Sequence, residues 1–143
     1  MPEALSARLR EIVDALPLRP GMRVLEIGCG PGAMAREIAR RLGSEGFVLA
    51  IDRSPAALRQ AEAGSAAGIA AGTLAFRRSA AETFALARGE EPFDLAVAIR
   101  VGALDGRHPA AGILARAAIK AALKPGGRLL IDGGNPLREV DLR

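Results

Sequence analysis

The stretch VLEIGCGPG at residues 24–32 constrains the fold more than any other part of the chain. It is a short apolar run that ends in alternating glycines, a pattern typical of a buried strand followed by a tight turn and a helix. Glycines at alternate positions remove side chains from the turn, so a ligand can lie directly against the backbone. The stretch therefore predicts a binding site for a nucleotide-like ligand.

Strand-like and helix-like segments alternate along the rest of the chain. We expect strands at residues 23–28, 47–52, 73–78, 92–99 and 128–132. We expect helices at residues 3–16, 31–42 and 54–63, a short helix after a capping box at 79–82, and a further helix that begins at 108. Short turns between such elements indicate an α/β fold, a doubly wound parallel sheet with helices on both faces.

Two finer expectations concern the segments between the strands. The glycine-punctuated segment 64–72 is predicted to be a loop, and the turn at 124–127 to precede the fifth strand. In the helix that begins at residue 108, helical spacing predicts a core face made of small and aliphatic residues: Ile113, Leu114, Ala117 and Ala121.

Composition narrows the class of protein. A chain of 143 residues fits one domain, with an N-terminal helix at 1–16, a core at 20–132 and a tail at 133–143. The net charge is +4, but the arginines are scattered, and Tyr and Trp are absent, so nucleic-acid binding is not expected. The single cysteine allows no internal disulfide and argues against a cysteine-based metal site, so no metal is expected. Without a membrane-spanning run or a secretory signal, we expect a cytoplasmic protein.

Acidic residues on either side of the turn indicate which ligand it takes. Asp52 ends the second predicted strand, where a carboxylate can accept two hydrogen bonds from a ribose diol. Gly28, Gly30 and Ala33 also fit the dinucleotide fingerprint. However, Glu26 suits a cationic ligand and is unfavourable beside a pyrophosphate, although it could be an acid paired for packing alone. A dinucleotide-binding protein also needs a second nucleotide-binding half or a substrate domain, and 143 residues are too few for either.

The motifs resemble those of the class I S-adenosylmethionine-dependent methyltransferases. Residues 24–32 look like the first motif of that family nearly residue for residue, and LAIDRSP at 49–55 resembles the second. FDLAV at 93–97 and LKPGGRL at 123–129 are similar to the fourth strand and to the run into the fifth. The resemblance covers residues 20–132. It implies five parallel strands in the order 3-2-1-4-5, S-adenosylmethionine as cofactor and S-adenosylhomocysteine as product.

The resemblance also implies roles for individual residues. The glycine turn would pass the methionine part of the cofactor, Glu26 would lie near its amino group, Asp52 would hold the ribose, and Arg53 would flank the adenine. Ala80 stands where the family often has an acidic residue, so an amide near Ala81 would meet the adenine instead. The implied cofactor-binding set is Glu26, Gly28, Cys29, Gly30, Gly32, Asp52, Arg53, Ala80, Ala81 and Arg100.

The segment 100–108 contains the candidates for a catalytic role. By resemblance it lies beside the transferred methyl group, and Arg100, Asp105 and His108 could bind an acidic substrate or take a proton. Alternatively, His108 only caps a helix and Asp105 only belongs to a turn. Methyl transfer from a sulfonium works mainly by alignment, so no catalytic group is obligatory. Cys29 is interpreted as a small space-filling residue, because nothing nearby in sequence would lower the pKa of its thiol.

The end of the chain departs from the family pattern, in which a helix and an antiparallel strand pair usually follow the fifth strand. Only residues 133–143 remain here, so we expect most of that pair to be missing. An uncovered fifth strand would expose unpaired backbone groups, which the tail or a second copy could cover, and this predicts a homodimer. The leading function is methyl transfer to a small-molecule acceptor. The alternatives are a non-catalytic cofactor-binding or partner-binding module and a nicotinamide oxidoreductase.

Overall fold

A six-stranded sheet organises the molecule in the computed structural model, which describes residues 5–143. The strands are β1 (Arg23–Ile27), β2 (Phe47–Asp52), β3 (Leu74–Arg78), β4 (Phe93–Ala98), β5 (Leu123–Asp132) and β6 (Leu137–Val140). Their order across the sheet is β3-β2-β1-β4-β5-β6, with β1 to β5 parallel and β6 antiparallel to β5. The predicted order of the five parallel strands is confirmed.

Helices cover both faces of this sheet, as expected for strands that are apolar on both sides. The helices are α1 (Ala7–Ala15), α2 (Ala33–Leu42), α3 (Pro55–Ala63), α4 (Ala66–Ala71) and α5 (Pro109–Ala122). On one face, Val24 of β1 belongs to a core cluster with Ile12 of α1 and Ile38 of α2. On the other face, its neighbour Leu25 belongs to a cluster with Ile119 of α5. No helix within residues 5–143 is long and apolar enough to cross a membrane.

The segment 64–72 is not the predicted loop, because it contains the short helix α4. Its alanines favour a helix strongly enough to tolerate the internal Gly68. A β-carbon on Gly68 would lie 3.2 Å from the Leu74 Cβ, so the glycine lets this helix pack closely on β3. Gly68 is therefore a residue that permits close packing of α4 on β3, and it does not mark a turn.

Two helix starts predicted from capping patterns have different outcomes. The Ser54 hydroxyl accepts the N–H of Ala57 at 3.1 Å, and Pro55 is the first residue of α3, so this cap is confirmed. The capping box at 79–82 is wrong. A single 3₁₀ turn at Ala81–Thr83 follows β3 without a side-chain cap, and the Ser79 hydroxyl instead donates to the Ala80 carbonyl at 2.9 Å.

The core face predicted for α5 is also wrong. Ile113 and Leu114 are 64% and 60% exposed, and Ala117 and Ala121 are exposed as well. The buried residues of α5 are instead Gly112, Ala115, Ile119 and Ala122. A β-carbon on Gly112 would lie 2.7 Å from the Ala103 carbonyl oxygen. The helix thus turns Gly112 inward, because a side chain at residue 112 would collide with the Ala103 carbonyl.

The tail forms β6, which corrects the expectation that β5 lies at the sheet edge. Residues 133–136 turn the chain back, and Ile131 then pairs with Arg138 across the antiparallel ladder. The turn predicted at 124–127 lies inside β5 as an irregularity, since Phe93 pairs with Leu123 and Leu95 pairs with Arg128. The backbone groups of β5 that were expected to need a second copy are therefore paired within the chain.

Candidate functional site

The glycine turn between β1 and α2 is fixed by backbone contacts with the next strand. The N–H groups of Gly28 and Cys29 both donate to the Ile51 carbonyl, at 2.8 and 3.0 Å. Gly28, Gly30 and Gly32 have φ angles of 74°, 54° and 88°, a region that favours glycine. A β-carbon on Gly28 would also lie 2.8 Å from the Val101 Cγ2. Glycine at residue 28 is thus required both by conformation and by space.

Asp52, at the end of β2, is held by one N–H group of this turn and by one at the start of α3. Its Oδ2 accepts the N–H of Gly30 at 2.8 Å, and its Oδ1 accepts the N–H of Ser54 at 2.9 Å. A carboxylate oxygen has two lone pairs, so each oxygen keeps one acceptor position for a further donor. The carboxylate is therefore oriented by the protein and still able to receive both hydroxyls of a diol.

Glu26 is the buried acid of the site. Its side chain belongs to a residue that is only 3% exposed, and its Oε1 lacks a hydrogen-bond partner among the described residues. Burial, reinforced by the nearby Asp52 charge and opposed by Arg36, raises the pKa of Glu26 to about 8. A buried polar atom without a partner is unfavourable in a native protein. An ammonium group from a ligand would supply both the missing hydrogen bond and the opposite charge.

Two cavities flank the turn. The Glu26 cavity has a volume of about 510 Å³ and includes Arg8, Glu26, Cys29 and Gly30 in its wall. The loop cavity has a volume of about 690 Å³ and includes Arg53, Ala81, Arg107 and His108. Both cavities share Gly28, Asp52 and Arg100. Because both lie at the carboxyl ends of the parallel strands, they form the crevice where α/β sheets bind ligands.

Most of the residues implied for cofactor binding line one or both cavities. Glu26, Gly28, Cys29, Gly30, Asp52 and Arg100 line the Glu26 cavity; Gly28, Asp52, Arg53, Ala81 and Arg100 line the loop cavity. Gly32 and Ala80 line neither. A β-carbon on Gly32 would lie 3.0 Å from the Ala61 Cβ, so this glycine permits close packing behind the turn.

Cys29 is buried within the turn as a free thiol. Burial, followed by the charges of Glu26 and Asp52, raises the pKa of its thiol to about 12. A thiol that stays protonated is a poor nucleophile. These surroundings agree with the interpretation of Cys29 as a space-filling residue.

Arg100 begins the segment 100–108 in a conformation that is unusual for its residue type. Its φ is 58°, and it is the sole non-glycine residue with positive φ within residues 5–143. Its N–H donates to Asp132 Oδ1 at 3.1 Å, and its carbonyl accepts a hydrogen bond from Arg107 Nη2 at 3.1 Å. Side chains from β5 and from the loop itself therefore hold the backbone of Arg100 in place.

The other two catalytic candidates lie in different surroundings. Asp105 lies outside the cavity walls and forms an ion pair with Arg107, from Arg107 Nε to Asp105 Oδ2 at 2.9 Å, which holds the pKa of Asp105 below its usual range. His108 lines the loop cavity and directly precedes α5, but its side chain makes no capping hydrogen bond. The structure thus brings Arg100 and His108 together in the wall of one cavity. Asp105 lies outside that wall and is paired with Arg107.

Several cavity residues are missing from the sequence-based set. Ser79 and Glu82 line the loop cavity, Arg107 lines it beside His108, and Arg8 of α1 lines the Glu26 cavity. Ser79 and Glu82 follow β3 at the same sheet edge as Asp52, a signal that could have identified them. No local signal distinguishes Arg8 from the other exposed arginines of the chain.

Comparison with known proteins agrees with this geometry. Residues 18–141 match the family described as a methyltransferase domain. The chain is 28% identical to a structure of an S-adenosylmethionine-dependent methyltransferase from Thiobacillus denitrificans in complex with S-adenosylhomocysteine, with a TM-score of 0.67. The alignment covers 87% of this chain and 46% of that one. The chain belongs to the class I S-adenosylmethionine-dependent methyltransferase family.

Two curated relatives show how the family relationship extends along the chain. A protein-L-isoaspartate O-methyltransferase from Methylorubrum extorquens is 40% identical over 132 residues, which covers 92% of this chain and 50% of that protein. A nocamycin O-methyltransferase from Saccharothrix syringae is 35% identical over 127 residues, which covers 89% of this chain and 43% of that protein. The chain thus spans about half the length of these relatives.

Proposed function

We propose that this chain binds S-adenosylmethionine and transfers its methyl group to a small-molecule acceptor, with S-adenosylhomocysteine as the product. The observation that carries the proposal is the buried Glu26 Oε1, which has no partner among the described residues and belongs to a cavity wall shared with Asp52. An unpartnered carboxylate next to an oriented one fits a ligand with an ammonium group and a ribose. Membership of the methyltransferase-domain family supports the same ligand.

The cofactor would extend across both cavities, with different residues binding its different parts. Glu26 would bind the amino group, Asp52 the ribose hydroxyls, and the backbone of Gly28 and Gly30 would lie along the cofactor beside Cys29. On the adenine side, Arg53 and Ala81 remain proposed contacts, whereas Arg100, also in the implied cofactor-binding set, lines both cavities and is assigned to the acceptor. Gly32 and Ala80, which line neither cavity, would act by supporting the turn and the loop after β3.

The cofactor supplies a methyl group already activated on a sulfonium, which leaves alignment and exclusion of water to the protein. Arg100 belongs to both cavity walls and can orient an acceptor where they meet. His108 lies in the wall of the loop cavity, where its imidazole can hold a proton from an acceptor that arrives protonated. No other described side chain is required as a base by this arrangement.

Calorimetric titration with S-adenosylhomocysteine tests the cofactor assignment. Asp52→Ala should weaken binding about 10- to 100-fold, because it removes a charged acceptor of two hydrogen bonds. Asp141→Ala is a matched control, since Asp141 is exposed and, within residues 5–143, pairs only with Arg143. Circular dichroism of both variants checks that they are folded. Unchanged affinity in folded Asp52→Ala would rule out the assignment.

Turnover separates an enzyme from a binding module. Formation of S-adenosylhomocysteine, measured with a panel of small hydroxyl, amine and carboxylic acid acceptors, supports the proposed activity. Tight cofactor binding without product from any acceptor favours the non-catalytic module. Titration with NADH, followed by its fluorescence, tests the nicotinamide alternative, and saturable binding there would contradict the methyl-transfer proposal.

The homodimer and the cytoplasmic location stay predictions. The dimer was expected to cover β5, but β6 occupies that edge, so two copies joined through this edge of the sheet would pair their β6 strands instead. Light scattering at micromolar concentration measures the mass. A value near twice 14.8 kDa supports the dimer, and a monomeric mass contradicts it.

A further inference from the structure

The wall of the loop cavity contains guanidinium groups for which the cofactor offers no anion. Arg53, Arg100 and Arg107 belong to its wall, together with the acidic residues Asp52 and Glu82. The adenosine part of S-adenosylmethionine has no anionic group. Its single carboxylate lies at the methionine end, next to the amino group that the proposed function assigns to Glu26, in the other cavity. The guanidinium groups of the loop cavity therefore lack an anion from the cofactor.

Of the arginines that line the two cavities, Arg100 is both free and held in position. Arg8 pairs with Asp132 at 3.3 Å, and Arg107 pairs with Asp105 at 2.9 Å. Within the described part of the chain, the side chains of Arg53 and Arg100 have no hydrogen-bond or ion-pair partner. Only Arg100 also lines both cavities and has its backbone held on either side by other side chains. Its guanidinium is thus available at the place where an acceptor must meet the cofactor.

We propose that the methyl acceptor carries an anionic group, a carboxylate or a phosphate, and that the Arg100 guanidinium binds this group in the loop cavity. A guanidinium presents a planar pair of donors that matches carboxylate and phosphate oxygens. Arg107 acts as a positioning residue, because it donates to the Arg100 carbonyl while its own charge is paired with Asp105. The inference rests on the proposed function and adds the chemical class of its acceptor.

The rival role for Arg100 is to bind the carboxylate of the cofactor, since it lines the Glu26 cavity as well. Two ligands separate the roles: S-adenosylhomocysteine has the amino acid part, and methylthioadenosine lacks it. If Arg100 serves the acceptor, Arg100→Gln leaves the affinity for both ligands within about twofold of the wild type. Loss of affinity for S-adenosylhomocysteine, whether alone or together with loss of affinity for methylthioadenosine, would overturn the inference. Absence of S-adenosylhomocysteine binding in the wild type would instead contradict the proposed function.

Anion binding is then measured on the protein loaded with S-adenosylhomocysteine. Acetate and inorganic phosphate are the probes, and the NMR shifts of backbone amides in 100–108 report binding. We expect saturable binding to the wild type and weakening of at least about tenfold in Arg100→Gln, since the variant loses a charged hydrogen-bond donor. Arg88→Gln is the matched control, because Arg88 is exposed and lies outside both cavity walls. Preference for one probe identifies the anion as carboxylate or phosphate.

Either of two results would overturn the inference: no saturable binding of acetate or phosphate by the loaded wild type, or binding that persists in Arg100→Gln. Turnover gives an independent readout. Carboxylic acids in the acceptor panel should give product at least about tenfold faster than the corresponding primary amides, and Arg100→Gln should remove most of that difference. Equal rates for acids and amides in the wild type would also contradict an anionic acceptor.

Discussion

The glycine turn and the loop 100–108 face the same crevice, but the first residues of each are held by different groups. In the turn, backbone N–H groups of residues 28 and 29 donate to β2, and glycines take the φ angles that the path requires. In the loop, the backbone of Arg100 is held by the side chains of Asp132 and Arg107. Main-chain contacts with a neighbouring strand suit a site for one constant ligand. Side-chain contacts from separate elements can be altered by single substitutions, which suits the region of the site that selects an acceptor.

The largest effect on ligand binding should follow from a side chain placed in the turn. Gly28→Ala should lower the free energy of unfolding by about 2 kcal/mol, since it adds positive-φ strain and a clash with Val101. We also expect a loss of more than about 100-fold in affinity for S-adenosylhomocysteine. Gly89→Ala is the matched control, because Gly89 has a φ of 78° but no atom within 4 Å of an added β-carbon. Denaturant unfolding and calorimetry measure both quantities, and similar results for the two variants would contradict the role of residue 28.

The next effect is a pH dependence specific to the turn side. Glu26, with its pKa raised to about 8, is mostly protonated below that pH, and a cationic amino group requires the ionised form. Affinity for S-adenosylhomocysteine should therefore rise from pH 6 to pH 8, by up to about tenfold per unit, and level off above. Glu26→Gln should remove this slope. A flat profile in the wild type, measured by calorimetry, would show that Glu26 does not meet the amino group.

For the same residue, the stability of the ligand-free protein should depend on pH in the opposite direction. The pKa of Glu26 is higher in the folded state than the ordinary 4.5, so the folded protein retains a proton that the unfolded chain releases. The contribution of Glu26 to stability should be greatest at or below pH 4.5, and it should decrease as the pH rises to about 8. Comparison of denaturant midpoints for the wild type and Glu26→Gln isolates the contribution, because the variant has no such group.

A smaller effect is expected on the loop side. Asp132→Ala removes the acceptor of the Arg100 N–H and the partner of Arg8, which should lower the unfolding free energy by about 1 kcal/mol. Hydrogen exchange of the Arg100 amide should become faster, while affinity for S-adenosylhomocysteine stays within about threefold. Asp141→Ala serves again as the control. Loss of cofactor affinity equal to that of Asp52→Ala would break the distinction between the two regions.

The smallest effect concerns the exposed face of α5, the helix that follows the loop. Ile113→Gln should change the unfolding free energy by less than about 0.5 kcal/mol, because residue 113 is exposed. Ile119→Ala, on the buried face of the same helix, should cost about 2–5 kcal/mol. Thermal or denaturant unfolding measures both. Equal losses would mean that the orientation of α5 is wrong.

The sequence predicted the turn side of the site better than the side formed by the loop 100–108 and α5. β2 was predicted with the bounds it has, and the acid-flanked turn was located, because strand runs, glycine turns and strand-end acids are local signals. The face of α5 was not, because it depends on Gly112 meeting the Ala103 carbonyl, a contact that helical spacing cannot reveal. Arg107 and Asp132 were likewise missed, since their contacts with Arg100 join separate parts of the chain.

The unpartnered oxygen of Glu26 has a consequence for how much folded protein a cell would hold. A ligand that satisfies this group stabilises the folded state by an amount that grows with the ligand's concentration relative to its dissociation constant. Chains without the ligand spend more time unfolded, where proteases remove them. Abundance of the protein should therefore rise and fall with the supply of its cofactor.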